Sequence, residues 1–203
     1  MNDFSGQYQN RTFGNYRLLK LIGEGGFSEV YLGEHRYLGN EAAIKVLRTR
    51  LTEEEFERFR LEAQTIIGMG HPNMVRVLEF GVEDHIPFIV MSYAPHGSLR
   101  DLYPDGTRVP LERIVQLVKQ IAAALQYAHD HQVIHRDIKP DNLLVGPDGE
   151  VLLSDFGIAV AAHNTYSQKT QEAIGTVAYM APEQLRRKAR TASDQYALAV
   201  MVY

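Results

Sequence analysis

The apolar pattern of this chain changes once, near Pro95 and Gly97, and that change constrains its architecture more than any single residue does. Before it, YRLLKLI, EVYLGEH and EAAIKVL are short runs of branched and aromatic residues separated by Gly-rich or Gly-Asn turns, which predicts three antiparallel strands. TEEEFERFRLEAQTII follows, with Thr52 and Glu55 as a capping-box pair and Phe56, Phe59, Ala63, Ile66 and Ile67 at helical spacing, so an amphipathic helix is expected. Gly68, Gly70 and Pro72 end it, and VRVLEFG and PFIVMSY supply two further strands. After the change, LERIVQLVKQIAAALQYAHDH puts Ile114, Leu117, Val118, Ile121, Leu125 and Ala128 on one stripe, a core helix whose apolar face packing alone explains. NLLVGPDGEVLLSDFG reads as a hairpin turning at Pro147-Asp148-Gly149, and residues 161–174 as a polar loop. SDQYALAVMVY opens a buried helix and stops inside it at Tyr203, so an incomplete domain is expected. Residues 1–15, rich in Asn, Gln and Gly and aperiodic, are expected to be a loose leader.

With 203 residues and 45% hydrophobic content, the chain can bury a core in one large domain or two coupled lobes. A net charge of -4 argues against a general nucleic-acid or membrane-surface binder. The absence of cysteine rules out a disulfide framework and thiolate metal sites and suits a cytoplasmic location. No stretch approaches the ~18 apolar residues of a membrane span.

Five motifs carry chemistry. Gly23-Glu24-Gly25-Gly26-Phe27-Ser28-Glu29-Val30 can let backbone N–H groups approach phosphates, because no Cβ intervenes at the glycines. A dinucleotide-binding loop would need a helix after it, and a strand-like run follows instead; a plain hairpin turn is the bland alternative. Lys45, at the end of an apolar strand, and Glu62, on the following helix, are singly an edge lysine and a solvated glutamate; paired, they could aim an ammonium at phosphates. His135-Arg136-Asp137-Ile138-Lys139-Pro140-Asp141-Asn142 packs a base, cations and a carboxamide into one loop between a helix and a strand. Asp155-Phe156-Gly157 sets an acid after an apolar strand, beside a glycine that permits a sharp backbone change.

In this order, and with Ala181-Pro182-Glu183 behind them, these motifs resemble the protein kinase family over residues 16–203. The resemblance implies the α+β, bilobal kinase fold, with a five-stranded N-lobe plus one helix over residues 16–94 and a mainly helical C-lobe over 95–203. It implies ATP and Mg²⁺ as cofactors and protein substrates as partners. In such a site the loop Gly23, Glu24, Gly25, Gly26, Phe27 and Ser28 would cover the phosphates, with Ile22 and Val30 against adenine. Ala43 would form the ceiling of that pocket and Leu144 its floor. Ser92-Tyr93-Ala94 would be the hinge that reads the adenine edge, and Met91 the gatekeeper. Asp137 would orient the substrate hydroxyl and accept its proton, and Lys139 would steady the γ-phosphate. Asn142 and Asp155 would hold Mg²⁺, and Lys45, positioned by Glu62, the α- and β-phosphates.

Lys139 and Thr176 in GTVAYMAPE match the Ser/Thr branch of the family. Arg136 would receive a phosphate placed on the activation segment, with Thr165, Ser167, Thr170 and Thr176 as candidate acceptors. Two positions depart from the family pattern, Ser28 for its third glycine and Ala42 for its strand valine, and neither removes a catalytic group. Glu183 is expected to lack the arginine it pairs with in the family, whereas Asp194 is expected to anchor the catalytic loop backbone. The wording of GEGGFSEVY, FRLEAQ and HPNMVRV is similar to bacterial, eukaryotic-like Ser/Thr kinases, many of which carry a membrane anchor after the kinase domain. A homodimer for trans-autophosphorylation is among the partners this implies. A pseudokinase scaffold and a small-molecule kinase are the rival readings; Lys45, Asp137 and Asp155 argue against the first, and GTVAYMAPEQ against the second.

Overall fold

The computed structural model describes residues 6–26, 28–49, 52, 54, 57, 60, 61, 64, 67–156 and 177–203. The chain folds as two compact units, the first comprising Met1–Gly68 and Arg76–Tyr93, the second Met69–Val75 and Ala94–Tyr203.

In the first unit the strands are β1 (Thr12–Phe13), β2 (Tyr16–Glu24), β3 (Ser28–His35), β4 (Glu41–Leu47), β5 (Val77–Glu83) and β6 (Ile86–Met91). They form one antiparallel sheet in the order β1-β2-β3-β4-β6-β5. The five expected strands are present, and β1 is a sixth. Side chains alternate between the faces of a strand, so Tyr31 on β3 and Ala42, Ile44 and Val46 on β4 fall into one core with Leu18, Phe88 and Val90.

That core also takes Tyr8 and Phe13, which corrects the loose leader expected for residues 1–15. From Tyr8 onward this segment is packed: Tyr8 meets Phe13 and Tyr31 edge to face, and Leu18 N–H donates to Arg11 O at 2.8 Å. Two isolated aromatics among polar residues make no period a sequence reading could detect. Each still brings ~1.5–3 kcal/mol of burial, enough to order a short segment.

Between β4 and β5, residues 54, 57, 60, 61, 64 and 67 have helical backbone, and Arg60 pairs with Glu57 at 2.8 Å. Glu55, Phe56, Phe59, Glu62, Ala63 and Ile66, on which the expected cap, stripe and ion pair depend, lie outside the described residues. Ile67 is exposed rather than packed.

The second unit contains α1 (Leu99–Leu102), α2 (Leu111–Asp130), the hairpin β7 (Leu143–Val145) and β8 (Val151–Leu153), α3 (Pro182–Leu185) and α4 (Thr191–Val202). Ser98 caps α1 with a reciprocal Asp101 box, and these hydrogen bonds draw the Asp101 carboxyl below its ordinary value. In α2, Leu117, Ile121, Ala124, Leu125 and Ala128 are buried. The hairpin turns at Pro147-Asp148-Gly149, where Gly149 takes φ 77°, a region glycine enters without a Cβ clash. Residues 69–75 join this unit because they are stitched to β8: Val75 N–H donates to Leu153 O (3.0 Å) and Leu153 N–H to Asn73 O (2.9 Å).

Candidate active site

The two units each carry one cluster of the motif residues. In the first, strand register does the assembling. Gly23 faces Val30, Val30 faces Lys45 and Lys45 faces Ile89, while in the next row Leu32 faces Ala43 and Ala43 faces Met91. Directly opposed residues share a face, so Gly23, Val30, Lys45, Ala43 and Met91 lie together on the side of the sheet away from Tyr31 and Ile44. Ile22 sits at a register shift between Leu21 and Gly23 and is exposed. The glycine-rich turn joins β2 to β3 and is closed by Gly25 N–H donating to Ser28 O at 2.9 Å. Phe27 and Glu62 lie outside the described residues, and with them the expected Lys45–Glu62 pair.

At the end of β6, Ser92 is already engaged: its N–H donates to Arg76 O (2.9 Å) and its hydroxyl accepts from Arg76 N–H (3.1 Å).

In the second unit the cluster sits on a loop. The segment from α2 to β7 contains His135, Asp137 and Lys139, and a 3₁₀ turn, Pro140–Asn142, leads into β7. Asn142 donates its amide N–H groups to both the carbonyl and Oδ2 of Asp137, at 2.8 Å each. Lys139 Nζ stands 3.1 Å from the same Oδ2. Asp137 Oδ1 is buried and has no hydrogen-bond partner among the described residues. Leaving such an acceptor unpaired costs about 1–3 kcal/mol.

Polar groups beneath the loop hold this arrangement. Asp194, buried on α4, accepts from His135 N–H (2.9 Å, Oδ2), Arg136 N–H (2.8 Å, Oδ1) and His129 Nε2 (2.8 Å). The anchoring expected of Asp194 is therefore present. His135 Nε2 lies 2.7 Å from Ser154 O and its Nδ1 accepts Asp137 N–H at 3.2 Å. A carbonyl cannot donate and a backbone N–H cannot accept, so the imidazole is neutral with its proton on Nε2. Burial pushes its pKa down, in keeping with that form. Its ring meets Phe156 edge to face, with centroids 4.7 Å apart.

Ser154 binds the 3₁₀ turn to the strand end, because its N–H and its hydroxyl both donate to Asn142 O at 2.9 Å. Asn142 and Asp155, the two metal candidates, are thus one residue apart across a shared pair of hydrogen bonds. Asp155 is exposed with φ 60°, and Arg136 has φ 70°; neither is glycine, and such conformations cost of order 1–3 kcal/mol where the surroundings enforce them. Leu144, half-buried on β7, and Ala94, buried, also belong to this unit. Glu183 is not without a partner: Ser193 Oγ donates to its Oε1 at 2.6 Å and draws its pKa down. Gly157, Thr165, Ser167, Thr170 and Thr176 lie outside the described residues.

Three residues of the site escaped the sequence reading. Ser154 and His129 carry no motif of their own, and only the position of Ser154 beside Asp155-Phe156 could have drawn attention to it. Arg48 is the third, and it contacts the glycine-rich turn through Gly25 O.

The geometry can be set beside known proteins. The chain is 39% identical over 196 residues to the serine/threonine-protein kinase PrkC of Bacillus subtilis, covering 95% of this chain and 30% of the relative. It is 38% identical over 198 residues to serine/threonine-protein kinase PknB of Mycolicibacterium smegmatis, covering 93% of this chain and 32% of that protein. The chain thus spans about a third or less of the length of these relatives. The crystal structure of the Mycobacterium tuberculosis PknI kinase domain superimposes with a TM-score of 0.76 at 29% identity, over 96% of this chain and 74% of that one. With the protein kinase domain model matching residues 16–203 as well, the chain belongs to the protein kinase family and has its α+β, bilobal fold.

Proposed function

We propose that this chain is the catalytic domain of a Ser/Thr protein kinase, transferring the γ-phosphoryl group of Mg-ATP to a hydroxyl of a protein substrate. The observation that carries the reading is the clasped Asp137 carboxylate, with Oδ2 held by Asn142 and Lys139 and Oδ1 left as an acceptor. An oriented carboxylate next to an ammonium suits a reaction in which alignment and charge neutralisation are the protein's main tasks. The substrate hydroxyl oxygen would form the new bond to the γ-phosphorus as the bond to the β–γ bridging oxygen breaks. ADP leaves, and the hydroxyl proton passes to Asp137. Lys139 would neutralise charge on the transferring group.

The remaining roles follow from placement on each unit. Lys45 would hold the α- and β-phosphates, and Gly23, Glu24, Gly25, Gly26, Phe27 and Ser28 would cover them. Ile22, Val30, Ala43, Met91 and Leu144 would border the adenine, whose edge would be read by the Ser92 carbonyl and an amide of Tyr93 or Ala94. Asn142, through its side-chain Oδ1, and Asp155 would offer hard oxygen donors from segments joined by the Ser154–Asn142 hydrogen bonds, a donor set that suits Mg²⁺. Bound there with the nucleotide, Mg²⁺ would supply neutralisation of phosphate charge. Signalling by autophosphorylation on Thr165, Ser167, Thr170 or Thr176, with Arg136 as the phosphate's partner, belongs to the same proposal, as does a membrane anchor elsewhere in a longer chain. Among the described residues no helix is long and apolar enough to cross a membrane.

The test is phosphoryl transfer from Mg-ATP to the chain itself and to a generic protein substrate, beside Asp137→Asn, with mass-spectrometric mapping of residues 161–176. The Asn variant should bind nucleotide and melt like the unmodified chain while transfer falls by roughly 10²-fold or more. A folded, nucleotide-binding chain that transfers nothing would replace this reading with that of a scaffold.

A further inference from the structure

Sheet register sets Glu24 directly opposite Glu29 at the mouth of the glycine-rich turn. Like charges facing each other across an antiparallel pair repel, and here the Glu29 side chain is fully buried, at 0% exposure. Arg48, one residue beyond β4, resolves the conflict. Its Nη2 donates to Glu24 Oε1 at 2.5 Å and to Glu29 Oε1 at 2.7 Å, and its Nη1 to Gly25 O at 3.4 Å. A planar guanidinium can reach three oxygens at once, which an ammonium on a flexible stem does less well. The bonds to Glu24 and Glu29 raise the Arg48 pKa further.

The other oxygen of Glu29 accepts the Tyr31 hydroxyl proton, and the Tyr31 oxygen accepts Tyr8 N–H at 3.2 Å. Glu29 and Tyr31 are two apart on β3 and so share the core face. Burial and the bond to Glu29 push the Tyr31 hydroxyl above its ordinary value, so it stays a donor. A continuous polar chain therefore runs from Tyr8, through Tyr31, Glu29 and Arg48, to Glu24 and Gly25 O, all within the first unit.

Glycines at positions 25 and 26 give this turn wide conformational freedom. A clamp at its base restricts that freedom, and restricting a binding loop in advance lowers the entropic cost of association. The Arg48 guanidinium is itself engaged by carboxylates, so its effect on a bound phosphate is indirect. We infer that Arg48 is a positioning residue: it holds Glu24 and the Gly25 carbonyl to the buried Glu29, presets the phosphate-facing turn, and is tied by Tyr31 to the N-terminal segment. The effect on nucleotide rests on the function proposed above; the clamp itself does not.

The experiment compares the unmodified chain with Arg48→Met and Arg48→Lys by kinetics at varied Mg-ATP and by amide hydrogen exchange. Arg48→Met should raise the KM for ATP about tenfold while kcat changes less than about twofold. Exchange at residues 24–29, Gly25 N–H included, should quicken about tenfold with β7 and β8 unaffected. Arg48→Lys should recover part of both losses, and Tyr31→Phe should move both in the same direction by about twofold. If Arg48→Met fails to fold, the double variant Glu29→Gln/Arg48→Met, which leaves no buried charge unpaired, takes its place and should show the same rise in KM. Unmodified KM and turn exchange in whichever variant folds would overturn the inference. Should the unmodified chain neither bind nor use nucleotide, the kinase reading fails, and the exchange data still decide whether the clamp orders the turn.

Discussion

The two clusters of candidate residues, one on each unit, are built in different ways. On the first unit, Gly23, Val30, Lys45, Ala43 and Met91 are brought together by strand register, so backbone pairing and the two-residue alternation of strands suffice. On the second, Asp137, Lys139 and Asn142 sit on irregular backbone, which no ladder positions; buried polar groups, Asp194, His135 and Ser154, do it instead. A sheet face tolerates changes that keep the pattern. A loop on a buried network depends on individual hydrogen bonds, whose partners lose heavily when one is removed.

Asp194→Ala should produce the largest effect. It strands two backbone N–H groups and His129, so a loss of about 3–5 kcal/mol is expected by urea unfolding, with faster exchange at residues 135–137. A loss below ~1 kcal/mol would mean that the loop is held by other means. On the sheet, Gly33→Val is the counterpart: a Cβ there would stand 3.2 Å from Arg17 O and collide with buried Ile44. Overpacking should cost about 1–3 kcal/mol and be read in the exchange of β2 to β4, with the amides of residues 135–137 unchanged.

Acid should separate the units as well. Burial lowers the pKa of His135 and of His71, both in the second unit. The unfolded chain therefore binds protons more readily, so the stability these groups contribute is complete above their ordinary value of 6.5 and is lost as pH falls below it. The loss approaches ~1.4 kcal/mol per pH unit for each proton taken up. Exchange at pH 7.5 and 5.5 should show the loss concentrated in α2, β7 and β8; equal losses in β2 to β4 would erase this contrast. The smallest effect is expected for Asp84→Asn, which breaks the exposed Arg11–Asp84 pair at 2.6 Å between the N-terminal segment and the β5–β6 turn. Asn tolerates the φ of 51° there, so a change under ~0.5 kcal/mol is expected by thermal melting. A larger one would make the pair a real tether of the segment that carries Tyr8.

The sheet was largely legible because its signal is local. YRLLKLI, EVYLGEH and EAAIKVL show strand composition, and each is a strand. β1 was not legible, since Tyr8 and Phe13 acquire meaning only when Tyr31 and Phe88 stand beside them. The identities of Asp137, Lys139, Asn142 and Asp155 as candidates were plain from their density in the motifs, and the anchoring by Asp194 followed from the family resemblance. The tautomer of His135, the bridging by Ser154 and the engagement of Ser92 by Arg76 were not, because each depends on a partner at least 12 residues away.

The information legible in the residue order was therefore periodic and local: which runs are strands, where the helical pattern begins, and which residues could do chemistry. Which of those polar groups meet was settled by folding. Hydrogen bonds and ion pairs need contact within about 3 Å, and contact between Arg48 and Glu29, or Asp194 and His135, exists only after the chain has brought distant segments together.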